Sequence, residues 1–267
     1  MRRSFSALAV IGAALVTLTG CSAPASTEET PAASPTASES TLSGTVTVFA
    51  AASLTDVFGQ IADEFMAANP GTDIAFSFGG SSDLVSQLIE GAPADVFASA
   101  DQNNMAKAVE GGVIAGEPEL FASNTLSIVV PAGNPAGVED FADLAGEGVR
   151  VVVCAPQVPC GAATEKVEAE TGVALAPVSE EQSVTDVLAK VSSGEADAGL
   201  VYVTDVKRAG DAVEGIAFDA SAAAVNLYPI AVTRGAADPE TAAAFVAFVL
   251  GDTGQRLLAA AGFGAAP

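Results

Sequence analysis

The stretch from Val46 to Phe58 joins the pattern of a β-strand directly to that of an amphipathic helix. Its first part is rich in valine, threonine and phenylalanine and ends in three alanines, which is typical of a buried strand. From Ser53 onward, apolar residues recur at helical spacing. We expect Ser53 to be the N-cap of this helix, with Asp56 completing an abbreviated capping box. Such a junction directs free backbone N–H groups outward, which suits an anion, although an ordinary strand–turn–helix unit has the same pattern.

The same junction recurs along the chain, and the repetition predicts the fold class. Predicted strands lead into helices that begin near Ser81, Asp101, Cys160 and Ser183. Alternating strands and helices indicate α/β architecture with mostly parallel sheets covered by helices on both faces. In an open α/β sheet such junctions share one edge, where ligands bind. Helix starts that carry hydroxyl groups, with no cationic side chain beside them, predict an anion pocket made of neutral dipoles.

One later segment is ambiguous. Val225–Val232 has the composition of a strand but contains Pro229. Because proline cannot donate to a β-ladder, we expect this segment to be an edge strand or a crossover.

Charge and residue usage exclude several function classes. The 267 residues contain 33 acidic and 10 basic side chains, for a net charge of −23, which argues against nucleic acid and anionic membrane surfaces as partners. The chain has no histidine, so a Ser-His-Asp triad is excluded, although Ser-Lys or carboxylate chemistry is not.

The N-terminus has the pattern of an export signal. Two arginines precede an apolar run that is too short for a convincing membrane span, and the run ends in L-T-G-C at Cys21. This resembles a bacterial lipobox, so we expect residues 1–20 to be a lipoprotein signal peptide and Cys21 to carry the lipid. A simple secretory peptide with a chance cysteine is the alternative. Residues 21–43 are rich in Ser, Thr, Ala, Pro and Glu and are predicted to form a disordered tether, with folding from Gly44.

The junctions together resemble the molybdate-binding proteins of bacterial ABC importers. The matching stretches are V-T-V-F-A-A-A-S-L-T from Val46, S-S-D-L from Ser81, G-A-P-A-D-V-F-A-S-A-D from Gly91, V-P-C-G from Val158, the region Ser183–Leu188, V-Y at Val201 and Y-P-I-A-V from Tyr228. The resemblance implies a two-lobed periplasmic-binding-protein fold of type II. It divides the chain into lobe one, residues 44–122 and 227–267, and lobe two, residues 123–226.

The resemblance also implies a site and a function. An oxyanion would be held by the hydroxyl groups and backbones of Ser53 and Ser81, the backbone N–H groups of Cys160 and Val184, and the hydroxyl of Tyr202. Ser82 remains open as an alternative to Ser81. The implied protein is an extracytoplasmic, monomeric lipoprotein that binds molybdate, and also tungstate, for a membrane permease. It would have no cofactor and would not be an enzyme.

Two alternatives of function stay open beside this one. The ligand could be sulfate or phosphate, because a neutral pocket suits any such dianion. A hydrolase with Ser53 as its nucleophile would need a base, and the sequence offers no evident partner.

Three further features have simple interpretations. Arg150 and Arg234 lie away from the junctions and are predicted to be surface or lobe-supporting charges rather than an anion clamp. Cys154 and Cys160 could be metal thiolates, but without histidine they make a poor zinc site, and outside the cytoplasm a disulfide is favoured.

Overall fold

Two five-stranded sheets with their helices make up the part of the chain that the computed structural model describes, residues 42–267. The predicted signal peptide, Cys21 and nearly all of the predicted tether lie outside the described residues.

The strands and helices alternate along the chain, as the junctions predict. The strands are β1 (Gly44–Ala51), β2 (Thr72–Gly79), β3 (Val96–Ala98), β4 (Glu119–Asn124), β5 (Leu126–Pro131), β6 (Val151–Cys154), β7 (Ser179–Glu181), β8 (Ala198–Tyr202), β9 (Val213–Ile216) and β10 (Asn226–Val232). The helices are α1 (Thr55–Ala68), α2 (Ser81–Ile89), α3 (Gln102–Glu110), α4 (Pro159–Thr171), α5 (Val184–Ser192), α6 (Val203–Ala209), α7 (Pro239–Leu250) and α8 (Asp252–Ala261). None of the described helices has the length and apolar character needed to cross a membrane.

The two sheets have the same topology. Sheet one has the order β2-β1-β3-β10-β4 and sheet two the order β7-β6-β8-β5-β9. In each sheet the first three strands run parallel, and the fourth runs antiparallel to both of its neighbours. Four of the five strands therefore point the same way, which confirms the predicted mixed, mostly parallel α/β fold. We call sheet one with its helices lobe one, and sheet two with its helices lobe two.

Each lobe has its own apolar core. In lobe one the predicted stripe of α1 is buried, with Phe58 and Phe65 packing edge-on against Phe245 of α7 at ring-centroid distances of 6.3 and 5.4 Å. Each such phenylalanine contributes about 1.5–3 kcal/mol through burial. In lobe two the core is rich in valine, because β6 is buried along its whole length. Lobe one holds two apolar clusters and lobe two holds one, and none of the three spans both lobes, which lets the lobes move as bodies about the segments that join them.

The chain crosses between the sheets at two places. It leaves sheet one after β4, passes through Thr125 and enters sheet two at β5. It returns through β10, which begins at Asn226. These two connections are adjacent, since Asn226 pairs with Asn124 in the sheet.

Of the two expectations for the proline-containing segment, the sheet edge is wrong, whereas the crossover agrees with the return of the chain to sheet one through β10. β10 is the fourth strand of sheet one, with β3 on one side and β4 on the other. The register with β4 shifts between Tyr228 and Pro229, so the missing N–H of Pro229 falls at an irregularity of the ladder. The Pro229 carbonyl still accepts a hydrogen bond from the Ser99 N–H at 2.9 Å.

Candidate functional site

A small buried cavity lies where the helix starts of the two lobes meet. All five residues implied as ligands, Ser53, Ser81, Cys160, Val184 and Tyr202, line this one space. The rest of its wall is formed by Ala51, Ala52, Gly79, Gly80, Ala100, Val158 and Pro159. The accessible volume of the cavity is about 10 Å³, which is about the room that one water molecule needs. The donors therefore surround a single small space. Its lining belongs to both lobes, which therefore close on each other here.

Ser53 reaches the cavity in a different way from that predicted. It does not cap α1, because a short 3₁₀ turn, Ala52–Leu54, precedes the helix and α1 begins only at Thr55. The proposed capping box with Asp56 is therefore wrong at this junction. The Ser53 hydroxyl instead shares a 3.0 Å hydrogen bond with the hydroxyl of Tyr228, and Ser53 is 7% exposed.

Ser81, and not its neighbour Ser82, forms part of the cavity wall. Ser81 is the first residue of α2, and its Oγ accepts the backbone N–H of Ala100 at 3.0 Å. That bond occupies a lone pair and leaves the hydroxyl proton available for donation. Ser82 is also buried, but it does not line the cavity, and its hydroxyl has no hydrogen-bond partner within the described residues.

Cys160 is held in place by the turn that precedes α4. It is the second residue of that helix, so its N–H has no partner inside the helix. A disulfide joins Cys160 to Cys154 at the end of β6, with the Cα atoms 5.6 Å apart, and the two cysteines are therefore not free thiolate ligands. The next residue must be glycine, because a Cβ at Gly161 would lie 2.0 Å from the Ala155 carbonyl oxygen.

Val184 supplies a second free helix start in lobe two. It is the first residue of α5, and Ser183 is the N-cap. The capping pattern predicted at Ser183 is present, since the Ser183 Oγ accepts the Asp186 N–H at 3.3 Å and donates to the Asp186 carboxylate at 2.7 Å. This exchange gives a hydrogen-bond partner to the Asp186 N–H in the first turn of α5. The Val184 N–H takes no part in it and is left at the cavity.

Tyr202 contributes a buried, protonated hydroxyl. It ends β8 and is 1% exposed, and its hydroxyl has no hydrogen-bond partner within residues 42–267. Burial, followed by the nearby Tyr228 and the carboxylates of Asp101 and Asp205, raises the pKa of Tyr202 well above its usual value. The phenol therefore stays neutral and keeps a proton to donate. An unpaired buried donor costs stability, and an acceptor in the cavity would remove that cost.

Within the described part of the chain, no cationic side chain lines the cavity. Arg150 forms a 2.7 Å ion pair with Asp197, and both Arg150 and Arg234 are exposed. Behind Tyr202, the carboxylate of Asp205 accepts the backbone N–H of Tyr202 at 3.1 Å. Burial raises the pKa of Asp205 to about 6, although Arg208 at 3.3 Å opposes the shift. The cavity is thus an environment of dipoles and not of compensating charges.

The sequence did not indicate three residues that shape this site. Tyr228 orients Ser53, Gly80 allows close contact between the lobes, and Asn226 hydrogen-bonds under the cavity. Tyr228 lies in a stretch that carries the family resemblance, but nothing local indicated its partner 175 positions away. Among residues 42–267, no group of three His, Cys, Asp or Glu side chains is placed to hold a metal ion.

Two α/β lobes that close on a small cavity with a few convergent hydrogen-bond donors define a binding protein for a compact solute. Comparison with known proteins identifies the class. The chain belongs to the bacterial extracellular solute-binding proteins, whose family model matches residues 46–264. Within them it belongs to the molybdate-binding protein family. It is therefore a solute-binding protein and not an enzyme, as the sequence predicted.

Three similar proteins illustrate this relationship. The molybdate-binding protein ModA of Mycobacterium tuberculosis is 51% identical over 218 residues, which cover 82% of this chain and 84% of that protein. The periplasmic molybdate-binding protein of Azotobacter vinelandii has a TM-score of 0.73 and 23% identity, over 83% of this chain and all of that one. The sulfate-binding protein SubI of Mycobacterium tuberculosis has a TM-score of 0.72 and 21% identity, over 82% of this chain and 86% of that one. The last two likenesses concern the fold alone.

Proposed function

We propose that this protein captures molybdate, and also tungstate, outside the cytoplasm and delivers it as a monomer to the membrane permease of an ABC importer. The observation that carries the proposal is the convergence of all five predicted donors on one cavity that, among residues 42–267, has no cationic side chain in its lining. The 51% identity to a molybdate-binding protein supports the choice of anion.

The proposed binding mode uses neutral donors from both lobes. Ser53 and Ser81 would donate from lobe one, while the N–H groups of Cys160 and Val184 and the hydroxyl of Tyr202 would donate from lobe two. Hydrogen bonds to a charged acceptor are stronger than those to a neutral one, and helix starts add favourable dipoles. Because the anion would contact both lobes only when they are together, binding would favour the closed form.

Sulfate is the most informative competitor, because SubI has the same fold. We expect calorimetry to show molybdate binding more tightly than sulfate. Sulfate is the smaller ion, so donors arranged around molybdate would not all reach it. Losing one hydrogen bond to a charged acceptor costs about 1.5–3 kcal/mol, which corresponds to about a 10- to 150-fold difference in affinity.

A thermal-shift series with molybdate, tungstate, sulfate and phosphate provides the independent check. A specific ligand raises the melting temperature with increasing concentration, whereas a non-binding anion at equal ionic strength does not. Equal or tighter binding of sulfate would place the chain among the sulfate-binding proteins instead.

The lipid anchor is a separate proposal, since Cys21 lies outside the described residues. We infer that Cys21 carries the anchor and that residues 21–43 space the lobes from the membrane. We expect Cys21→Ser to move the protein from the membrane fraction to the medium, or to leave it unprocessed, as judged by fractionation and intact mass. Cys154→Ser, which leaves the lipobox untouched, is the control. Normal processing and membrane retention of the Cys21→Ser protein would contradict the proposal.

A further inference from the structure

Asn226 hydrogen-bonds to two residues that line the cavity and lies where the chain returns to sheet one. It is the first residue of β10 and is 6% exposed. Its side-chain Nδ2 donates to the carbonyl oxygen of Ala100 at 2.8 Å and to that of Pro159 at 3.4 Å. Both partners are acceptors, so they determine which end of the amide is the nitrogen.

The two carbonyl groups come from opposite walls of the site. Ala100 follows β3 in lobe one and Pro159 begins α4 in lobe two, and both line the cavity. One buried amide therefore bridges the lobes below the space that the anion would occupy. Asn226 would lose this bridge to Pro159 whenever the lobes move apart.

The bond to Pro159 acts on a particular peptide group. The carbonyl of Pro159 and the N–H of Cys160 belong to the same planar amide. A hydrogen bond to the carbonyl oxygen polarises that amide and makes its N–H a better donor, because hydrogen bonds in a chain strengthen one another. At 3.4 Å the bond is long, which leaves room for it to shorten when an anion accepts the Cys160 N–H.

We propose that Asn226 is a positioning residue for oxyanion binding: it orients and polarises the Pro159–Cys160 peptide and ties it to lobe one in the closed form. This inference rests on the proposed function, because it assumes that the Cys160 N–H donates to the ligand. Asn226 itself does not contact the cavity space in the structure; it acts through the peptide.

The test compares Asn226→Leu with wild type by calorimetry with sodium molybdate. We expect about a 2- to 13-fold loss of affinity, which corresponds to one neutral hydrogen bond. Asn226→Asp is a second variant of nearly the same size, in case the leucine does not fold. Its carboxylate cannot donate and would face two carbonyl oxygens, so the loss should be at least as large.

Asn104→Leu is the matched control. The Nδ2 of Asn104 likewise donates to one acceptor in each lobe, the Asp101 carboxylate at 2.9 Å and the Gln157 carbonyl at 3.3 Å, but the Gln157 peptide carries no proposed donor. Its Oδ1 also accepts from Lys107 at 3.0 Å, so this variant should lose more stability than Asn226→Leu. If any lobe-to-lobe bond had the same effect, the two variants would weaken binding equally. The ligand-free melting temperature of each variant separates loss of binding from loss of stability.

The amide resonance of Cys160 gives a readout that a purely structural role would not change. In ¹⁵N-labelled protein we expect molybdate to shift this resonance downfield in wild type, and by less in the Asn226 variants. Unchanged affinity and an unchanged Cys160 shift in both variants would overturn the role of Asn226 while leaving the proposed function intact. Absence of molybdate binding by the wild-type protein would instead reject the proposed function.

Discussion

Tyr202→Phe is expected to weaken molybdate binding by about 10- to 150-fold, while the ligand-free melting temperature changes little. The substitution keeps the buried ring and removes only the hydroxyl. That hydroxyl makes no hydrogen bond to any of the described residues, so the substitution removes no bond within the protein. In the complex it would donate to a charged acceptor, and such a bond contributes about 1.5–3 kcal/mol. The loss should appear mainly as faster release, because the closed complex is affected more than the encounter.

The chain provides a matched control in its only other tyrosine, Tyr228. That side chain is equally buried, but its hydroxyl is already bonded to Ser53 at 3.0 Å. Tyr228→Phe should therefore lower the melting temperature more than Tyr202→Phe does and affect affinity less. Unaltered affinity of Tyr202→Phe would remove Tyr202 from the site. A large drop in its ligand-free stability would make it a core residue.

The fold could be predicted from the sequence because its signals are local and repeated. The apolar spacing of α1, the valine run of β6 and the capping pair of Ser183 and Asp186 each indicate one element without knowledge of the rest. Alternation of such elements leads to an α/β sheet by general rules. Family resemblance then supplied the ligand set, and the structure brings all of its members to one cavity.

The errors arose where a distant partner overrides a local preference. Ser53 has the sequence context of a helix cap, but its hydroxyl bonds to Tyr228, which is distant in sequence. Pro229 indicates an edge strand, yet a register shift accommodates it in the interior of sheet one. Local propensity cannot anticipate either outcome, because each depends on which strand lies next to the residue in space.

The net negative charge of the chain is compatible with an anion site, because charge repulsion from the surface and hydrogen bonding in the cavity act over different distances. The exposed carboxylates are screened by water and salt beyond about 10 Å. Inside the cavity the proposed donors would be in direct contact with the anion, in surroundings where each hydrogen bond is stronger than in water. Their short-range dipoles would therefore outweigh the long-range repulsion of a net charge of −23.

Gly80 is the residue whose substitution should disturb closure most. An added Cβ at Gly80 would lie 2.0 Å from the carbonyl oxygen of Gln182, a backbone atom of lobe two. The backbone of Gly80 has φ −63° and ψ 135°, which alanine adopts without strain. Gly80→Ala should therefore leave lobe one folded and prevent only the close approach of the two lobes.

We expect Gly80→Ala to weaken molybdate binding by at least about 100-fold, because the three donors of lobe two could no longer reach the anion together with those of lobe one. Three hydrogen bonds to a charged acceptor, at about 1.5 kcal/mol each, would allow a loss of more than 1,000-fold, and partial adjustment of the loop reduces it. Gly59→Ala is the control, because Gly59 lies in α1 outside the cavity lining and an added Cβ there would meet no atom within 4 Å. Calorimetry gives the affinities, and small-angle scattering with and without molybdate reports closure. If Gly80→Ala bound molybdate as tightly as Gly59→Ala and compacted to the same extent, the contact between Gly80 and Gln182 would not limit closure, and the anion would not need both lobes in the arrangement described.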